Sequence, residues 1–248
     1  MQIVAVVSAC GGVGRSTLVA TLADLLHRRG RPVLAIEFDV ANALALHLGA
    51  SIAPQRGLVQ ALDAQASPWF DAVLANSDGV QFLPYGQGTL AQQVALEARL
   101  HAAPRWLREQ LEAVQLPEST VVLLDTPRLP ALAAQHAVHC ADHVLAVLAP
   151  DANSYATLGA LAALKPGGIN YVINGLEPNR PLQNDLRLLL RDELGAALAT
   201  VAIHREGSLA DAQARNRALV DEAPHSQASQ DFQLLAAWLL SELERAQR

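Results

Sequence analysis

The amino-acid sequence predicts an α/β fold: a mostly parallel sheet with helices on both faces, built as one domain from residues 1–248. Three observations carry this expectation. Short apolar runs suited to buried strands alternate with stretches of helical spacing along the whole chain. The connections are short, and no internal repeat or linker interrupts them. The conspicuous polar residues fall at the C-terminal ends of the apolar runs, where such sheets collect ligands. With 248 residues, 51% hydrophobic and 17% charged, one core can bury ~70–75% of the surface the unfolded chain exposes.

The first apolar run, Ile3 to Val7, passes through Ala9-Cys10-Gly11-Gly12-Val13-Gly14-Arg15-Ser16-Thr17 into a helical pattern from Leu18 to Arg29. A strand that turns through glycines into a helix points several backbone N–H groups at one spot, with the helix dipole behind them. The dipole alone supplies ~0.3–1 kcal/mol, whereas micromolar binding needs ~8 kcal/mol, so converging N–H groups, a cation and a metal must act together. The spacing fits the Walker A pattern, with Ser16 placed to ligate Mg2+. The cation departs from that pattern: Arg15 is a planar fork where a lysine point charge is usual, which favours phosphate binding over turnover. Of 18 basic residues only Lys165 is lysine. It stands in a helix-to-strand turn, at the edge of the sheet away from ligands.

Pro32 to Phe38 reads as a second buried strand, followed by Asp39 and Asn42, and a carboxylate there can orient a water for attack on a γ-phosphate. Gly57 to Ala64 and Pro68 to Ala75 read as short helices. Val80 to Pro84 reads as a strand. Leu90 to Leu116 is helical but divided at Pro104. Trp69, Phe70 and Trp106 are expected in the core. Val121 to Asp125 is a strand ending in aspartate, which after a Walker A loop reads as Walker B, with Asp125 holding the Mg2+ water shell. Pro127 then turns the chain into a switch segment.

His143 to Pro150 is a further strand, and Asp151 offers an N-cap to the next helix. Ile169 to Ile173 is another, ending at Asn174, whose amide can read a purine edge; a plain turn asparagine would occupy the same place. A helix from Leu182 to Leu194, a strand from Leu198 to Ile203 and a terminal helix from Ser229 to Glu244 complete the chain. Phe232, Leu234, Leu235, Trp238, Leu239 and Leu240 are expected to pack that helix on the sheet.

The formal charge of -6 argues against nucleic acid as the main partner. Two cysteines, Cys10 and Cys140, make neither a disulfide framework nor a thiolate metal site, and a reduced, cytoplasmic setting is expected. The opening apolar stretch reads as a strand and not a signal peptide. No apolar run reaches the ~18–20 residues that span a bilayer.

The glycine loop, Gly11-Gly12-Val13-Gly14 followed by Arg15-Ser16-Thr17, resembles the deviant Walker A of the MinD/ParA class of dimeric ATPases, P-loop NTPases of the SIMIBI type. Glu37-Phe38-Asp39 is similar to the acidic switch I pair of that class. Asp125-Thr126-Pro127 is similar to its Walker B and switch II start, and Asn174 to its adenine-reading asparagine. Within the class the chain resembles the BcsQ (YhjQ) family of cellulose-synthesis accessory proteins, through Phe82 to Gln87, Asp125 to Arg128, Asp151 to Asn153, Val172 to Asn174 and Ile203 to Glu206.

This resemblance implies a cytoplasmic homodimer that binds ATP or ADP with Mg2+ and supports a bacterial cellulose secretion complex. It reaches the inner membrane only through partners, namely a small BcsR-like protein and other synthase subunits. Nucleotide contacts would come from Gly11, Gly12, Val13, Gly14, Arg15, Ser16, Thr17, Asn174 and Arg205. The metal would be held by Ser16, Asp125 and Asp39, partly through water, and catalysis would rest on Asp39 and Arg15.

Two departures bear on turnover. Cys10 stands where the class has a signature lysine, and Arg15 where it has the phosphate lysine. The expectation is therefore that ATP fastens a sandwich homodimer with slow or absent hydrolysis. Arg128 and Arg205 are candidates for the lost trans charge, with surface salt bridges as the plain alternative. The competing function is a cycling MinD/ParA-like ATPase that positions a cargo at the membrane or nucleoid. The terminal helix, with Glu242 and Glu244 beside Arg245 and Arg248, is a poor membrane anchor.

Overall fold

The computed structural model describes residues 1–60, 68–165 and 168–246. In chain order it contains β1 (Gln2–Val7), α1 (Arg15–Arg28), β2 (Val33–Glu37), α2 (Leu44–His47), β3 (Leu74–Ala75), β4 (Gln81–Leu83), α3 (Leu90–Ala102), α4 (Trp106–Ala113), β5 (Val121–Asp125) and α5 (Leu132–Cys140). The second half adds β6 (His143–Leu148), α6 (Ala152–Ala156), α7 (Leu158–Ala162), β7 (Ile169–Leu176), α8 (Pro181–Leu194), β8 (Ile203–His204), α9 (Gly207–Ala214), α10 (Leu219–Glu222) and α11 (Gln227–Arg245).

The strands form one sheet in the order β3-β4-β2-β5-β1-β6-β7-β8, parallel except where β3 runs against β4. Both faces are covered. The strands therefore bury almost every residue, which is why they read as unbroken apolar runs. Strand alternation divides the core in two. Ile3, Ala5 and Val7 of β1 face one side, with residues of α3, α4, α5 and α8. Val4 and Val6 face the other, with α1, α2 and α11. The register sets Val6 and Glu37 on either side of Asp125, so three central strands end flush.

Several boundaries differ from the sequence expectation, each for a physical reason. Pro68 to Ala75 is not a helix: a 3-10 turn over Trp69–Ala72 leads into the short antiparallel strand β3. The expected helix over Gly57 to Ala64 is a 3-10 turn at Leu58–Gln60, and residues 61–64 lie outside the described residues. Phe70 is 47% exposed, unlike Trp69 and Trp106, because the 3-10 turn puts only Trp69 against the core. Leu198 to Ile203 is not a continuous strand. Its contacts with β7 fall at Tyr171↔Leu198 and Asn174↔Ile203, so five steps oppose three and the ladder opens between them. β7 runs on to Leu176, which places Asn174 inside the strand. On α11, Phe232, Leu235 and Leu239 are buried, but Leu234 is 60% exposed, since a helix can turn only one stripe inward.

Lys165 donates from Nζ to the carbonyls of Ala141 (2.6 Å) and Asp142 (3.0 Å), just before β6 begins. It sits at the N-terminal edge of the sheet, away from the glycine loop.

Candidate functional site

The glycine loop joins β1 to α1 at the C-terminal edge of the sheet. Gly14, at φ +84°, is the residue before the helix, and Gly12 has φ +71°. Only glycine adopts such angles without strain, and they curl the loop into a concave row of N–H groups. From β7, Asn174 Nδ2 donates to the Val13 carbonyl at 2.7 Å. A Cβ on Gly14 would lie 2.4 Å from that nitrogen. The Asn174 amide thus holds the loop from the side.

A cleft of about 550 Å³ opens beside the loop, walled by Gly12, Val13, Thr17, Pro150, Asn174 and Arg205. Arg205 lies 3.7 Å from Glu177 Oε1 with its side chain 74% exposed, and its backbone N–H is fixed to the Leu176 carbonyl. Glu206, whose role the sequence did not signal, accepts from the Gln227 and Ala228 amides and so ties this wall to the start of α11.

On the other side of the loop stands an acidic corner. Asp125 is fully buried, and neither carboxylate oxygen has a well-formed hydrogen bond among the described residues. Burial pushes it up to about 7, against the pull of the nearby Ser16 hydroxyl and the Arg15 guanidinium. Beside it Glu37, also fully buried, is pushed up to about 8 by burial; its Oε1 accepts from the Leu44 amide at 3.0 Å while Oε2 has no partner among the described residues. Buried carboxylate oxygens without donors are costly. A cation or its water shell would satisfy them, and Ser16 next to Asp125 would complete a donor set of hard oxygens suited to Mg2+. These residues fit the metal the sequence implies.

Arg15 turns into this corner. Its Nε donates to the Thr126 carbonyl at 2.9 Å, and Nη1 donates to the Cys10 carbonyl at 3.2 Å and to the Ser8 hydroxyl. Nη2 lies 3.8 Å from Asp39 Oδ2. Burial lowers its pKa, opposed by Asp125 and Asp39, while the charge of Arg128 adds to the lowering. Thr126 donates to the Val6 carbonyl at 2.7 Å, and the Leu129 amide donates to the Ser8 carbonyl at 3.0 Å, binding the segment after β5 to the end of β1.

The sequence-singled residues therefore fall into two groups around one loop. Gly12, Val13, Gly14, Thr17, Asn174 and Arg205 border the cleft. Arg15, Ser16, Asp39 and Asp125 border the acidic corner, with Gly11 in the loop between. Sequence reasoning missed the Ser8 hydroxyl as a partner of Arg15, and missed the Cys10 and Thr126 carbonyls because a backbone acceptor leaves no trace in residue type. A smaller cavity of about 190 Å³ beside α1 is lined by Asp24, Asp78 and Asp221. All three carboxylates pair with Arg28.

The family model described as cellulose biosynthesis protein BcsQ matches residues 1–240. The cellulose biosynthesis protein BcsQ of Salmonella typhimurium is 29% identical over 239 residues, covering 93% of this chain and 90% of the relative. The chromosome-partitioning ATPase Soj of Thermus thermophilus is 27% identical over 250 residues, covering 95% and 94%. The septum site-determining protein MinD of Pyrococcus horikoshii, solved in complex with Mg-ADP, superposes with a TM-score of 0.76 at 22% identity, over 95% of this chain and 94% of that one. A glycine loop before α1, an aspartate flush with it on β5 and a family match across nearly the whole chain agree: the protein belongs to the cellulose biosynthesis protein BcsQ family, on a MinD-like fold.

Proposed function

We propose that this protein binds ATP or ADP with Mg2+ and uses the nucleotide to fasten a homodimer that supports a bacterial cellulose synthesis complex, with slow or absent hydrolysis. The observation that carries the reading is Asp125, a fully buried carboxylate with neither oxygen in a well-formed hydrogen bond among the described residues, beside the Ser16 hydroxyl at the start of α1. The Mg-ADP bound to the similarly folded MinD protein and the ATPase name of the Soj relative support it. The family's role supports the cellulose assignment.

The Gly11–Thr17 amides would receive the phosphates, and the cleft between Asn174 and Arg205 would receive the nucleoside. Ser16 and Asp125 would hold the metal, which when bound supplies positive charge against the phosphates, with Asp39 reaching it through water. Asn174 keeps the loop curled by its bond to Val13. Slow turnover follows from Arg15. Nε and Nη1 are committed to protein acceptors, and Nη2 faces Asp39, the carboxylate that would otherwise be free to orient a water. Arg128 and Arg205 are the candidate trans charges, and a small BcsR-like protein is the expected companion.

The test is the nucleotide that stays with gently purified protein, released by denaturation and resolved by ion exchange, together with the sedimentation of the protein in Mg-ATP. Near-stoichiometric ATP and a dimer are expected. Retained ADP with partner-stimulated turnover would favour the cycling ATPase instead. No retained nucleotide and no binding of Mg-ATP would refute the reading.

A further inference from the structure

The three nitrogens of the Arg15 guanidinium reach three pieces of chain. Nε bonds the Thr126 carbonyl after β5, Nη1 bonds the Ser8 hydroxyl after β1 and the Cys10 carbonyl in the glycine loop, and Nη2 faces Asp39 after β2 at 3.8 Å. A lysine carries three donors on one atom and could not span these acceptors. Nη2 is the one nitrogen of the fork held by charge alone, without a hydrogen bond among the described residues. The side chain is 11% exposed, and Nε and Nη1 are committed to protein acceptors.

Beyond Asp39 the loop has a free part and a fixed part. Asn42, 4% exposed, donates from Nδ2 to the Pro54 carbonyl at 3.2 Å and accepts from the Gly86 amide at 3.3 Å; Glu37 holds the Leu44 amide. Between these anchors Asp39 accepts from within its own turn, Oδ1 from the Ala41 amide and the carbonyl from the Asn42 amide, both at 3.0 Å; Arg15 is its charged partner from outside the turn, and Val40 is 59% exposed.

From this geometry we infer that Arg15 is a positioning residue that acts as a releasable tie: it holds Asp39 and Thr126 to the glycine loop, and a nucleotide phosphate competes with Asp39 for Nη2. The competition rests on the nucleotide reading above; the tie does not. Phosphate arrival frees Asp39 to Ala41 while Asn42 and Glu37 keep the rest of the loop in place. The nucleotide thereby changes the surface around Val40 without unfolding β2.

Hydrogen exchange on the nucleotide-free protein tests the tie, and titration with ADP in EDTA tests the competition. In Arg15→Met, exchange in the stretches 39–44 and 126–131 is expected to quicken about fivefold or more; in Asp39→Asn, only the first stretch should quicken. Arg15→Lys should exchange like Arg15→Met, since one ammonium cannot reach both Thr126 and Asp39. With Mg2+ chelated by EDTA, so that Asp39 has no metal to reach, Asp39→Asn should bind ADP about three- to tenfold more tightly than wild type. Unchanged exchange in Arg15→Met, or slow exchange restored by lysine, overturns the tie. Unchanged affinity of Asp39→Asn for ADP in EDTA overturns the competition. If wild type binds neither Mg-ADP nor Mg-ATP, the nucleotide reading and the competition fall together, and exchange still decides the tie.

Discussion

Replacing Glu37 by glutamine should change how stability depends on pH. Glu37 is fully buried at the end of β2, and burial pushes its pKa from 4.5 to about 8, against the Leu44 amide bond, with Asp125 adding to the rise. The folded pKa lies above the unfolded one, so folding takes up a proton in the interval between them. The stability linked to this group is fully present below pH ~4.5, falls as pH rises and levels off above about 8. The slope is ~1.4 kcal/mol per pH unit, and the whole interval is worth ~5 kcal/mol as an upper bound. Glutamine removes that slope while its carbonyl still accepts from Leu44. Urea unfolding followed by tryptophan fluorescence at pH 5, 6, 7 and 8 measures it. Relative to wild type, Glu37→Gln should gain ~1 kcal/mol or more per pH unit across this range. Parallel curves for the two proteins would show that Glu37 ionises normally in the fold and would refute the argument.

Gly14→Ala puts a Cβ 2.4 Å from Asn174 Nδ2 at a φ of +84°; it should cost ~1–3 kcal/mol in urea unfolding and lower Mg-ADP affinity at least ~10-fold, and Asn174→Ala should restore part of the stability by removing the clash. Burial raises Asp125 to about 7, so a metal there must displace a proton below that pH. The Mg2+ affinity of the nucleotide-bound protein, read by calorimetry, should rise from pH 6 to 7 and flatten by 8, and Asp125→Asn should abolish both affinity and pH dependence. On α11, Phe232→Ala should cost ~3–5 kcal/mol in chemical denaturation, whereas Leu234→Ala, at 60% exposure, should stay within ~0.5 kcal/mol.

The central strands were legible because burial on both faces makes each an apolar run, and because the run ending in Asp125 is stopped by a charge. Lateral pieces were less so. The segment around Trp69 has helical spacing, yet the chain uses it to turn into β3, and only the third dimension shows that β4 has a free edge there. The segment 198–203 carries strand composition, but its ladder to β7 opens because β7 takes fewer steps. In the site, residue types announced Ser16, Asp39 and Asp125. They did not announce that Arg15 would bond backbone carbonyls at Cys10 and Thr126, or that Asn174 would spend its amide on Val13. Those choices depend on side-chain direction, which spacing does not encode.

The single lysine also has a practical side. Lys165 is the one lysine side-chain amine in the chain, and it is held at the base of β6, a strand of six residues. At ~3.3 Å per residue that is ~20 Å from the edge where the glycine loop lies. A dye, biotin or surface linker attached through that amine would sit on the far side of the sheet from the cleft. Amine-directed cross-linkers, by the same geometry, would miss any contact made at the cleft face, and arginine- or carboxylate-directed reagents would be needed to capture it.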